Sequence, residues 1–157
     1  MELRRYKEED TAALNSIYYD TIHSINKRDY TPEELEAWAP SDPYTEEKKR
    51  KDIERFRSIN PFVAVEGDVP IGFAELEDEG HINCFYVHHD HQGKGAGSML
   101  MDACIKEAKR LGYSRLHAEV SITAKPFFLK KGFSVIRPNL SEIRGMSLKN
   151  YIMEKEI

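Results

Sequence analysis

Three glycines at alternate positions are the residues whose spacing most directly suggests chemistry. Gly93, Gly95 and Gly97 follow an apolar run that ends at Val87 and lie at the start of a helical pattern. A turn of this kind between a strand and a helix presents backbone N–H groups without partners, and the helix dipole adds positive potential. Such sites bind phosphate or diphosphate, and glycine allows the ligand to approach the backbone closely. The stretch therefore predicts an anion site.

Two common phosphate-binding motifs do not match this stretch. In a P-loop, the lysine is followed by serine or threonine, whereas Gly95 follows Lys94 here. A dinucleotide fingerprint requires glycine where Ser98 stands, and it requires an N-terminal βαβ unit that the sequence pattern lacks. A nicotinamide-dependent oxidoreductase is therefore disfavoured.

The residues that remain resemble the coenzyme A signature of the GNAT N-acetyltransferase superfamily, [QR]xxGx[GA]. The signature is matched by Gln92, Gly95 and Gly97, five residues after Val87. A later run resembles the second cofactor segment of that family, an alanine followed by aromatic residues and then by Gly-Phe; it comprises Ala124, Phe127, Phe128, Lys131, Gly132 and Phe133. The resemblance extends over about residues 62–157, and the first sixty residues are similar to a bacterial subgroup of the family.

The resemblance implies that acetyl-CoA is the cofactor. Backbone amides of residues 92–97 would hold the pyrophosphate, and backbone groups of Val87 would bind the pantetheine arm between two splayed strands. An N–H group there would also stabilise the oxyanion of acyl transfer. The implied cofactor-binding residues are Phe85, Tyr86, Val87, Gln92, Gly93, Lys94, Gly95, Ala96, Gly97, Ser98, Ala124, Phe127, Phe128 and Lys131.

An attacking amine is protonated at neutral pH, so a base or a water chain must remove its proton. His81 lies six residues before Val87, where some family members keep a catalytic glutamate. Imidazole titrates near pH ~6.5 and suits this role, but a solvent-exposed histidine at a strand end is an equal alternative. Further candidates for the base are Glu75, Glu79 and Glu119.

Family members often use a tyrosine to protonate the departing thiolate, and Phe128 occupies the corresponding position here. A thiol with a pKa of about 8.5 leaves tolerably without an acid. Ser121 is a candidate replacement, and the alternative role for its hydroxyl is to cap the helix that starts near Ala124.

The N-terminal helices, together with Arg144, are expected to wall the acceptor site. Tyr30, Trp38 and Arg144 are predicted to line it, with a place in the core as the alternative. A small-molecule or peptide amine would be acetylated, and modest acidity slightly favours a cationic acceptor. No metal is expected, because the consecutive residues from His88 to His91 do not converge easily on one ion.

Elements that position these residues follow from the hydrophobic periodicity. Helices are predicted over about residues 13–25, 32–39, 45–59, 100–111 and 124–131, and strands over 3–6, 62–65, 71–76, 81–87, 115–120, 133–136 and 151–156. Thr31, Pro32 and Glu34 carry the signature of a helix start. We predict an α+β domain of the α/β/α sandwich type, with a mixed, mostly antiparallel central sheet of six to seven strands and helices on both faces.

Composition limits the remaining options. The chain has 157 residues, 32% of them charged and 40% hydrophobic, which predicts one domain over residues 1–157. A net charge of −4 gives no overall positive field for nucleic acid or a membrane surface. Two cysteines without a CxxC pair and a charged N-terminal segment favour the cytoplasm. A non-catalytic acyl-CoA sensor is the rival function, and the resemblance also allows a homodimer.

Overall fold

The computed structural model describes all 157 residues. Its seven strands and five α-helices confirm the predicted α+β class. In chain order they are β1 (Glu2–Arg5), α1 (Thr11–Ser24), α2 (Pro32–Trp38), α3 (Glu46–Ile59), β2 (Phe62–Glu66), β3 (Val69–Leu76), β4 (Ile82–Val87), α4 (Ala96–Arg110), β5 (Arg115–Ser121), α5 (Lys125–Lys130), β6 (Ser134–Ile143) and β7 (Met146–Glu156). None of the helices has the length and apolar character needed to cross a membrane.

The second helix begins where its sequence signature predicts. Thr31 accepts a hydrogen bond from the N–H of Glu34, and the Glu34 carboxylate accepts one from the N–H of Thr31. This reciprocal capping box satisfies two backbone donors at once, and Pro32 occupies the first helical turn. The arrangement fixes α2, and with it Trp38 at the end of this helix.

The strands form two hydrogen-bonded sheets rather than one continuous central sheet. One sheet has the order β1-β2-β3-β4 and the other β5-β7-β6, and neighbouring strands are antiparallel in both. A single parallel bridge between His81 and His117 joins the two sheets. Beyond this bridge β4 and β5 are not hydrogen-bonded to each other, which opens a gap between the sheets.

A bulge in β4 accompanies this gap. Ala74 is opposite Phe85 and Leu76 is opposite Ile82, so the single residue Glu75 faces two residues of β4. An extra residue of this kind bends the strand and increases its local twist. The strand after the bulge, from Phe85 to Val87, pairs with β3 and not with β5.

The core lies on both faces of the first sheet. In β2, Phe62 and Ala64 belong to the apolar cluster under α4, whereas Val63 and Val65 belong to the cluster under α1 and α3. The four residues are all buried, because helices cover both sides of this strand. This confirms helices on both faces.

The last two strands are longer than predicted. The segment that follows residue 136 continues β6 to Ile143, and β7 already starts at Met146. The two strands are joined by a two-residue turn in which Arg144 has φ 45° and Gly145 has φ 81°. Positive φ at both positions is typical of a tight hairpin turn, but arginine is not a usual residue for it, which explains why the hydrophobic pattern did not predict the turn.

Candidate active site

A cavity of about 640 Å³ lies at the gap between β4 and β5. Residues of both strands line it, together with the glycine-rich loop before α4, the start of α5 and the end of α1. A volume of this size suits a small-molecule or cofactor ligand. The cavity is therefore a candidate ligand-binding site.

The glycine-rich loop presents a row of unpaired donors. None of the backbone N–H groups of residues 92–98 donates to a protein acceptor, and the first paired amide is that of Met99, which donates to the carbonyl of Gly95 at 3.0 Å. Gly93 and Gly95 have φ of 77° and 92°, a conformation that glycine adopts without strain. These amides lie at the N-terminus of the fifteen-residue helix α4, where backbone donors of this kind suit an anion.

Gln92 fixes the loop relative to the strand before it. Its side-chain amide donates to the carbonyl of Val87 at 2.6 Å, and the hydroxyl of Thr21 reaches the same carbonyl at 3.4 Å. The N–H of His88 donates back to Ile71 in β3. Because peptide groups alternate along a strand, those of Val87 and Phe85 face the gap, where an extended ligand arm would run.

The aromatic pair of α5 has two different environments. Phe127 lines the cavity and packs on Phe85, with ring centroids 5.4 Å apart, and a Cβ atom on Gly97 would lie 3.0 Å from it. Phe128 also borders the cavity, but it is only 4% exposed and packs edge-on against Phe133. Phe128 carries no acid group, so the position of the usual tyrosine is apolar here.

Three cations lie around the cavity. Arg28, Lys130 and Lys131 all line it. The ammonium of Lys131 donates to the hydroxyl of Ser98 at 2.5 Å, which holds it beside the unpaired amides. The donors and the cations together suit a ligand with several phosphate groups, as coenzyme A has.

His81 forms the bridge to His117 that joins the two sheets, and it does not line the cavity. Its Nε2 is 2.7 Å from the carboxylate of Glu119, its Nδ1 is 3.7 Å from Glu77, and its ring stacks on His117. Glu119 does line the cavity. Burial raises the pKa of Glu119, but the hydrogen bond and charge of His81 outweigh it, so the pKa is below its usual value. The carboxylate is therefore ionised at neutral pH.

The hydroxyl of Ser121 lies at the end of β5, before the turn that leads to α5. Its oxygen accepts a hydrogen bond at 3.0 Å from the N–H of Ala124, the residue that precedes this helix. The side-chain amide of Asn26 approaches the same oxygen at 3.5 Å. Ser121 also lines the cavity, and because its oxygen accepts both bonds, its own proton is left to donate.

Of the three predicted acceptor residues, only Trp38 lines the cavity. Tyr30 is 7% exposed, and its hydroxyl is engaged by the carbonyl of Lys149 at 2.5 Å and by the N–H of Ile122 at 3.1 Å. Arg144 donates to a backbone carbonyl of α2 at 2.6 Å and lies at a separate open groove. Sequence reasoning missed several polar residues of the wall, which carry no spacing signal: Thr21, Asn26, Arg28 and Asn83.

The turn before the glycine-rich loop brings its histidines closer together than expected. Potential ligand atoms of His88, His89 and Asp90 lie within 4.8 Å of one another. Nδ1 of His88 already accepts the N–H of Asp90 at 3.2 Å, and Nε2 lies 3.6 Å from Asp20. The side-chain hydrogen bond of the turn and the nearby carboxylate of Asp20 therefore explain why these residues lie close together.

Comparisons with known proteins agree with this geometry. Residues 26–155 match the model of the acetyltransferase (GNAT) domain family. The uncharacterized N-acetyltransferase YafP of Escherichia coli (strain K12) is 29% identical over 98% of this chain and 94% of its own length.

Two solved structures share the fold. A GCN5-related N-acetyltransferase from Rhodopseudomonas palustris has a TM-score of 0.91 and 33% identity over 99% of this chain and 95% of that one. The PaiA N-acetyltransferase from Thermoplasma acidophilum, solved in complex with coenzyme A, has a TM-score of 0.74 and 22% identity over 99% of this chain and 98% of that one.

Proposed function

Because this chain belongs to the GNAT acetyltransferase family, we propose that it transfers an acetyl group from acetyl-CoA to a primary amine by direct attack in a ternary complex. The observation that carries the proposal is the row of unpaired amides at residues 92–98, which opens on a cavity between two diverging strands. The acceptor is a small molecule or a peptide. Both cysteines are free thiols, and we place the reaction in the cytoplasm.

The residues around the cavity suit the parts of coenzyme A. The amides of residues 92–98 would hold the diphosphate, with Lys131 and Arg28 near the remaining phosphate charge. The peptide groups of Phe85 and Val87 face the gap, where they would bind the pantetheine arm. When bound, acetyl-CoA supplies the thioester whose acetyl group is transferred.

We assign the general base to the pair of Glu119 and His81. Glu119 lines the cavity, so it can take up, directly or through water, the proton that the attacking nitrogen loses. His81 holds the carboxylate by a 2.7 Å hydrogen bond. In this proposal His81 is the partner behind Glu119 and not the base itself, and Ser121 would protonate the departing thiolate.

A non-catalytic acyl-CoA sensor is the second candidate, and the apolar side chain of Phe128 in the usual place of the acid favours it. Incubation with acetyl-CoA and a panel of amines, with detection of free thiol, separates the two functions. The enzyme releases thiol only when an acceptor is present, and mass spectrometry then finds the acetylated amine. Tight binding of acetyl-CoA without release for any amine would support the sensor.

A further inference from the structure

A charged network lies behind the cavity wall, outside the groups assigned to proton transfer. Glu75 of β3 is 0% exposed, and its carboxylate accepts hydrogen bonds from both terminal nitrogens of Arg55 in α3, at 2.8 and 2.5 Å. The side-chain amide of Asn83 in β4 donates a third hydrogen bond at 3.3 Å. The network therefore links an outer helix to the strand that borders the cavity.

The network meets β4 at its bulge. Asn83 and Cys84 are the two residues that face Glu75 across the irregular register. Asn83 lines the cavity, and so do Ile82 before it and Phe85 after the bulge. A bulge re-aims the residues around it, so whatever fixes the bulge also fixes this part of the wall.

The groups that face the pair are neutral. Burial raises the pKa of Tyr18, Tyr86 and the thiol of Cys84, so none of them carries charge at neutral pH. Burial also lowers the pKa of Arg55, but the Glu75 carboxylate outweighs this effect and the guanidinium stays charged. The carboxylate of Glu75 thus depends on Arg55 for its counter-charge.

Stability alone is a weak reason for such a pair. Desolvation of a buried ion pair offsets most of its attraction, and apolar residues of similar volume often stabilise a protein equally well or better. The bidentate geometry instead orients the carboxylate. Arg55 holds both oxygens of Glu75, and one of these oxygens then accepts the hydrogen bond from Asn83.

We propose that Arg55 and Glu75 are positioning residues for acetyl transfer, which hold the Asn83–Cys84 bulge so that the cavity wall keeps its reactive shape. This inference rests on the proposed function, since it assigns the pair to the same site. It predicts that the pair affects the rate of transfer and not the binding of the diphosphate, whose proposed site is the glycine-rich loop beyond the other end of β4.

The test uses Glu75→Gln, which keeps the shape of the side chain, and a double variant, Arg55→Met with Glu75→Leu, which removes both charges and can preserve stability. Arg57→Met is the matched control, because Arg57 lies in the same helix and pairs with Glu8 on the surface. Three quantities are measured: hydrogen exchange of amides 82–85, affinity for coenzyme A by calorimetry, and thiol release with the best acceptor of the panel.

For Glu75→Gln and for the double variant we expect kcat to fall by about 10- to 100-fold, while KM for acetyl-CoA and affinity for coenzyme A stay within about twofold. Exchange at amides 82–85 should rise by about tenfold, and the Arg57→Met control should match the wild type. Wild-type kcat and exchange in both variants would overturn the proposal, and so would an equal loss of rate and affinity. If the wild-type protein does not bind coenzyme A, the proposed function fails, whereas exchange at the bulge still tests the network.

Discussion

Placing a negative charge in the glycine-rich loop is the most direct perturbation of the proposed cofactor site. Gly95 has φ 92°, and a Cβ atom there would approach only the terminal methyl of Met1, at 3.9 Å. The loop therefore has space for a side chain. A left-handed backbone conformation costs an ordinary side chain about 1–2 kcal/mol, but this cost falls on folding in the free and the bound protein alike.

The effect on binding comes mainly from charge. A carboxylate about 4 Å from one charge of a diphosphate raises the free energy of binding by about 1 kcal/mol in water and about 4 kcal/mol at an effective dielectric constant of about 20. These values correspond to a loss of affinity of roughly 5- to 1,000-fold. With the side chain also filling space that the ligand would occupy, we expect Gly95→Asp to weaken the binding of coenzyme A by roughly 1,000-fold or more.

Gly95→Asn is the matched variant, because it has the same shape and the same backbone strain without the charge. Calorimetry with coenzyme A should give a lower affinity for the aspartate variant than for the asparagine variant. The difference in affinity should shrink when the salt concentration is raised from about 0.05 M to about 0.5 M, because salt shortens the Debye length to a few ångströms. Equal affinities of both variants and the wild type would refute the assignment of this loop to the diphosphate.

Three further predictions test other parts of the molecule. Glu119→Gln should lower kcat by about 100-fold or more, with KM for acetyl-CoA little changed, because it removes the base that faces the cavity. Steady-state kinetics that show an unchanged kcat, or a rise in KM as large as the fall in kcat, would contradict this. Asp10→Asn should lower the free energy of unfolding at pH 7 by about 1–3 kcal/mol, since Asp10 is 3% exposed and paired with Arg4. Burial raises the pKa of Asp10, but the hydrogen bonds from Arg4 outweigh this effect and the pKa is lowered. The stabilisation is therefore complete above pH ~4 and is lost as the pH falls through the lower, folded-state value. In urea unfolding, the difference in free energy between the variant and the wild type should shrink in acid, and a constant difference would argue against this. Gly80→Ala should destabilise the protein by about 2 kcal/mol or more, because the added methyl group would overlap the carbonyl oxygen of Arg115 where the two sheets meet; thermal unfolding like that of the wild type would disprove this close approach.

Much of the cofactor loop could be predicted from the sequence, because its features are local. A strand that ends at Val87, glycines at alternate positions and the following helix are consecutive in the chain, and backbone donors do not depend on which side chains lie nearby. The capping box at Thr31 could be predicted for the same reason.

The side chains that work together were harder to predict. The sequence marks His81 as a candidate base, but its contact with Glu119 joins residues 38 positions apart and has no signal in the sequence. Tyr30 and Arg144 were selected by residue type, and whether such residues line a cavity depends on packing that periodicity does not encode.

The sequence by itself determined the glycine-rich loop at the start of α4, the α+β class and the order of the elements, since turn chemistry and hydrophobic period act over a few residues. Only the tertiary structure decided that β4 and β5 diverge beyond a single bridge, that Glu119 and not His81 faces the gap, and that the Arg55–Glu75 pair lies behind the bulge. A shift of one residue in strand register turns a side chain to the other face, and register is set by contacts between distant segments.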